Sequence, residues 1–215
     1  MLSDMKRLIF PLVLEAVFVA ACLLLPNKTL YLYFLFYAAL IIYFAKDFSF
    51  HAQVERFKDV KGFWMPVFFT AVALVLCQTV ITKVIMRFVF VPDGRIGIWM
   101  PDSYAGVILF GFTTIFMGPL AEALFFRKAL VRLPGDKDVT IAVALGSVII
   151  SLLLCSLSHA TGWLGILEAA LLVLPLTVSY LKTRNIYIPM LVHIGFMLYE
   201  NFPSVVYVIA RLSMR

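Results

Sequence analysis

The chain of 215 residues is 63% hydrophobic and only 14% charged, with a mean hydropathy of +1.02, whereas a soluble domain is about 45–50% apolar and about 25% charged. That excludes a soluble globular enzyme. The net charge of +6 is not gathered into basic patches interleaved with aromatics, so no nucleic-acid partner is expected. The expected fold is all-α and polytopic, one integral membrane domain over residues 1–215 with the lipid bilayer as its surroundings.

A helical crossing needs roughly 20 apolar residues, and about seven transmembrane helices are predicted, at about 8–26, 29–46, 64–91, 104–132, 139–160, 163–182 and 185–211. The first run lacks a small-residue cleavage site and reaches Pro26 at spanning length, so it is expected to remain as a span. Residues 46–62 mix Phe48, Phe50, His51 and Phe57 with charges of both signs, which predicts a short amphipathic piece at the interface with His51 solvated. Residues 91–95 have turn chemistry, and Trp99 follows at headgroup level. Cys22, Cys77 and Cys155 lie in apolar runs without CxxC or Cys/His spacing and read as packed small hydrophobes. Twelve Lys and Arg fall on one side of this arrangement and six on the other. The excess places the amino terminus in the cytoplasm and, with seven spans, the carboxyl terminus on the opposite side.

The fourth segment contains Gly118-Pro119 and, three residues on, Glu122. Proline is best tolerated in the first helical turn, so a new or kinked helix is predicted here, with Glu122 in its opening turns where backbone N–H groups favour negative charge. A carboxylate in hydrocarbon costs roughly 2.5–3.5 kcal/mol and persists where a partner or a task offsets it. Glu122 lies about 15 Å of helix before Arg132, well inside the membrane. His159 and His193 are the matching polar residues of the later spans. A carboxylate and an imidazole can take a proton from one water, and a second imidazole can stabilise the oxyanion formed when that water attacks a peptide carbonyl.

The order and spacing of Glu122, Arg127, His159 and His193 resemble the CPBP family of glutamic intramembrane proteases, which includes CAAX prenyl endopeptidases and the bacteriocin-processing or immunity proteins (Abi). Its motifs run Glu-Glu-x-x-x-Arg, Phe-x-x-x-His and His-x-x-x-Asn. Glu122 to Arg127 has the spacing of the first, His159 takes the second, and His193 the third after the turn at residues 182–186. The resemblance covers about residues 104–201. It implies an endopeptidase that cleaves membrane-associated protein or peptide substrates near their carboxyl end without a cofactor, with Glu122 and His159 activating the water and His193 at the oxyanion.

Three positions depart from the pattern: Ala123 replaces the second Glu, Cys155 the Phe, and Met197 the Asn. Cys155 is expected to affect packing only. Met197 removes a donor, a loss that can cost about 10²–10³ in rate. A second acid at 123 would pair with Arg127 as an i,i+4 neighbour, and Arg127 itself reads as a structural partner that orients an acid or snorkels inward rather than as a transition-state clamp. Two other readings keep the same residues: a zinc enzyme with Glu122, His159 and His193 as His₂Glu ligands, and a silent scaffold or immunity-type protein. Glu15, Glu168 and Glu200 also fall within spans. Glu200, about 10.5 Å along the helix from His193, is placed to line the same cavity. His159 ends its span, so a shared site requires tilt, a short fifth helix, or a turn near residues 161–162 sunk into the membrane.

Overall fold

Apolar runs closed off by Pro, Gly, Ser and Thr wind into seven helices in the computed structural model, which describes residues 2–47, 56–81, 83, 94–136 and 139–214. They are α1 (Leu2–Leu24), α2 (Thr29–Tyr43), α3 (Val60–Val80), α4 (Tyr104–Ala129), α5 (Ile141–Leu157), α6 (Trp163–Thr183) and α7 (Tyr187–Ser213). No strand occurs among the described residues; the nearest approach is an isolated bridge between Arg95 and Ala160. Four helical stretches, Lys6–Leu24, Val60–Val80, Tyr104–Ala129 and Trp163–Thr183, are long and apolar enough to cross a bilayer. The chain is an integral membrane protein of all-α fold. His51 and residues 91–93 of the predicted turn lie outside the described residues, as does much of the predicted interfacial piece.

Side chains facing away from the bundle are apolar and open, with Leu24 79%, Ile42 75% and Trp163 77% exposed, as lipid contact requires. The centre is α4. Two thirds of its spanning window (67%) is buried, against 22% for α1, 17% for α3 and 33% for α6. Helices α2, α5 and α7 pack directly on it. Phe18, Tyr33, Phe36, Tyr37, Phe44, Phe125 and Phe126 form a largely aromatic core between α1, α2 and α4. Phe18 and Phe36 stack at 4.3 Å there, and Phe18 meets Tyr33 edge-on at 4.7 Å.

Ser103 caps α4, its hydroxyl accepting from the Gly106 amide at 3.1 Å. The helix then alternates between windings: α over Tyr104–Gly111, π over Phe112–Met117, α over Gly118–Glu122 and π over Ala123–Ala129. Of the two sequence expectations, a new or a kinked helix at Pro119, the new helix is corrected: the winding changes at Gly118 within one continuous helix, Tyr104–Ala129. The wide turn before Pro119 accommodates both the ring and its missing N–H, so the helix runs on. Glu122 consequently sits in mid-helix, and the expected help from a free helix amino terminus does not apply.

Helix α5 stops early. Its 17 residues rise about 25 Å, short of the hydrocarbon thickness of about 30 Å. Residues 158–162 form a turn tucked into the bundle, with Ser158 and Ala160 both buried. Arg184, in the left-handed region at φ 51°, closes α6, and Asn185 Oδ1 accepts from the Tyr187 amide at 3.1 Å to start α7. These two ends set the depth of His159 and His193.

Candidate active site

Glu122 is 2% exposed, so every polar group near its carboxylate matters. His159 Nε2 lies 3.2 Å from Oε1 and His193 Nδ1 lies 3.7 Å from Oε2. The Tyr37 hydroxyl donates to Oε1 at 2.9 Å, and the Cys155 thiol points at Oε2 from 3.9 Å. The three residues singled out from sequence therefore meet at one carboxylate, brought there by α4, the turn after α5, and α7. The His159 contact has hydrogen-bond length, while the His193 contact falls outside it. His193 Nδ1 is buried without a hydrogen-bond partner among the described residues.

These groups lie along a cavity of about 440 Å³ that Glu122, His159 and His193 line together. Its walls are apolar, with Leu74 from α3, Leu172 and Leu176 from α6, and Phe196 and Met197 from α7. Arg95, Glu168, Glu200 and Asn201 add charge and polarity. Glu200 thus borders the cavity without reaching the carboxylate. Met197 takes the position where an asparagine was expected, and the Asn201 amide one turn later donates to the Met197 carbonyl at 2.9 Å.

His159 is held from outside its own helix. The Ile96 amide donates to the His159 carbonyl at 2.8 Å, and the Thr161 amide to the Gly94 carbonyl at 2.7 Å. Arg95 pairs with Glu168 of α6, tying the strip 94–96 down on its other side. Gly94 is required: its φ is +80°, and a Cβ there would lie 2.3 Å from the Gly162 nitrogen. From α2, the Tyr33 hydroxyl donates to the Ser158 carbonyl at 2.5 Å, and its ring stacks over His159 at 6.2 Å.

The sequence reading missed Tyr33 and Tyr37. The signal was present as Thr29, Tyr33 and Tyr37, three buried polar residues four apart along α2, a one-faced stripe at helical spacing. Gly118 belongs to the same arrangement, because a Cβ at that position would stand 3.1 Å from Tyr37 Cε2. Cys155 is packed as expected but also touches the carboxylate. Arg127 does not snorkel. It is fully buried, and its three guanidinium nitrogens have no hydrogen-bond partner among the described residues. Both carboxylate oxygens of the buried Glu15 are in the same condition, and Glu15 takes no part in the site.

With this geometry in place, comparison with known proteins relates the segment that carries the site to a known family. Residues 104–199 match the family described as type II CAAX prenyl endopeptidase, Rce1-like. That stretch is similar to a CAAX protease domain. No curated protein and no solved structure matches the chain. The matched segment contains Glu122, Arg127, Cys155, His159, Glu168 and His193, whereas Tyr33, Tyr37 and the strip 94–96 that brace them come from the residues before it.

Proposed function

We propose that this chain is a CAAX-type, glutamate-dependent intramembrane endopeptidase that cleaves membrane-associated proteins or peptides near their carboxyl end. The observation that carries the reading is the meeting of His159 and His193 at the buried Glu122 carboxylate beside an apolar cavity. Water held between Glu122 and His159 gives its proton to the carboxylate, directly or through Nε2, as its oxygen bonds to the scissile carbonyl carbon. The carbonyl electron pair moves onto oxygen facing His193, which donates to it from Nδ1. Collapse breaks the C–N bond, and the proton passes to the leaving amine. Met197 contributes no donor, so a rate about 10²–10³ below that of an asparagine-bearing relative is expected. The chain acts as one integral membrane unit, with seven crossings, a cytoplasmic amino terminus and the carboxyl terminus opposite.

The test is incubation of the purified protein, in detergent and in vesicles, with a prenylated CAAX-ended peptide, the products being read by mass spectrometry. Cleavage within the peptide's last residues is expected, undiminished after chelator treatment. Loss of cleavage on chelation would favour a zinc ion held by Glu122, His159 and His193. A peptide left intact by the protein would mark a silent scaffold.

Tyr37→Phe separates the hydroxyl from the ring. A hydrogen bond to a charged group is worth about 1.5–3 kcal/mol, so kcat should fall about 10- to 100-fold when Glu122 loses this donor. KM should stay put, because Tyr37 does not line the cavity. Loss of folded protein would lower the rate by one factor at every pH, whereas loss of the hydroxyl should change that factor with pH. A pH–rate profile that is merely scaled would remove Tyr37 from the machinery.

A further inference from the structure

We propose that Glu122, Cys155 and His159 form a binding site for a thiophilic divalent cation, Zn²⁺ above all, and that the bound ion switches the hydrolytic centre off. The donor atoms of the three side chains all lie within 4.8 Å of one another, with Cys155 and Glu122 buried and His159 partly open to the cavity. Tetrahedral zinc bonds of about 2.0–2.3 Å place neighbouring ligand atoms about 3.3–3.8 Å apart. The separations here are 3.2 Å between His159 Nε2 and Glu122 Oε1 and 3.9 Å between Cys155 Sγ and Glu122 Oε2. Those two contacts fall on different oxygens of the carboxylate, so an ion held through one oxygen needs the three donor atoms, now within 4.8 Å of one another, to close by up to about 1 Å.

The charges also balance. One thiolate, one carboxylate and a neutral imidazole bring two negative charges to a doubly positive ion, and a neutral centre avoids the cost of burying net charge. Binding displaces the thiol proton to solvent. A fourth donor is close by in His193 Nδ1, buried, without a hydrogen-bond partner among the described residues, and 3.7 Å from Oε2. Thiolate is the ligand that selects a soft ion, and it is supplied by a position where the resembling motif has Phe. The site is therefore a property of this chain.

The inhibitory part rests on the hydrolytic reading above, since the ion would take the Glu122 lone pairs that receive the water's proton and the His159 nitrogen that holds the water. The binding part does not. Purified, chelator-stripped full-length protein is titrated with Co²⁺ and then Zn²⁺. One ion per chain is expected, with the ultraviolet charge-transfer band of a cobalt–thiolate bond, displaced by zinc. Even outer-shell changes cost about 10–100-fold in metal affinity, so Cys155→Ser should weaken zinc binding at least that much and remove the band. Cys22→Ser and Cys77→Ser should not. Cys155→Ala, with melting profiles for both variants, guards against a folding defect in one of them. No cobalt–thiolate band in the parent, or a band that survives both Cys155 variants, overturns the site. In the peptide assay zinc should slow the parent and leave the Cys155 variants unaffected. Zinc that accelerates the parent, or slows all variants alike, overturns the switch. A parent that cuts no peptide defeats the hydrolytic reading and leaves the metal titration as a complete test of the site.

Discussion

Glu122→Gln should reduce peptide cleavage by about 10²–10⁴-fold, the usual worth of a positioned general base, while the protein stays folded. The amide matches the carboxylate in volume, and its oxygen can still accept from Tyr37. It cannot take a proton from water. Stability should hold, because the variant removes a charge that is 98% shielded from solvent (2% exposed), and a buried charge is costly to keep. The measurement is cleavage rate beside melting temperature and gel-filtration profile in one detergent. Cleavage at the parent rate by folded Glu122→Gln would end the proposed mechanism, whatever the family resemblance.

Ala123→Glu should act in the opposite direction, raising both stability and activity. Arg127 is enclosed with no hydrogen-bond partner for Nε or either terminal nitrogen among the described residues. Breaking a buried ion pair by removing one partner costs about 3–5 kcal/mol, which sets the scale of what a restored acid could return. Residue 123 lies four before Arg127 in a π-wound stretch, just short of one turn away along the helix. Against this, Ala123 is fully buried among Phe63, Tyr180, Ile188 and Met190, and enlarging a packed position costs about 1–3 kcal/mol. The balance favours the acid by about 2 kcal/mol, or roughly 4–8 °C in melting temperature at about 2–4 °C per kcal/mol. A firmer α4 should also raise the rate, since about 1 Å of misplacement at a catalytic group can cost about 10²-fold. A lower melting temperature would show that packing outweighs pairing, and equal cleavage by both proteins would remove the orienting role of the missing acid.

The residues that meet at the site were legible because acids and imidazoles are expensive inside apolar helices, so Glu122, His159 and His193 stood out against their neighbours. The early end of α5 was legible only as a condition, because hydropathy does not register where a helix hands over to a buried turn. Tyr33 and Tyr37 were hidden by their own chemistry. A tyrosine is at home in an apolar span, so the stripe of Thr29, Tyr33 and Tyr37 passes as ordinary packing, and its spacing does not say that a hydroxyl meets a carboxylate 85 positions later. The strip 94–96 was invisible for a related reason, since a bridge between Arg95 and Ala160 leaves no periodic trace. Pro119 misled only as a helix start, because its usual effect was absorbed by wide helical turns on either side of the short α-wound piece.

The bracing of His159 and Glu122 has a bearing on how such a catalyst could be moved between proteins. Residues 104–199 contain the acid and both imidazoles, yet a transplant of that stretch alone would arrive without the phenol on Oε1, without the phenol on the Ser158 carbonyl, and without the amide that grips His159. The recipient would inherit reactive groups with no jig to hold them. A working graft has to bring α2 and the strip at 94–96 with it, which makes the heritable module about twice the length of the segment by which it is recognised.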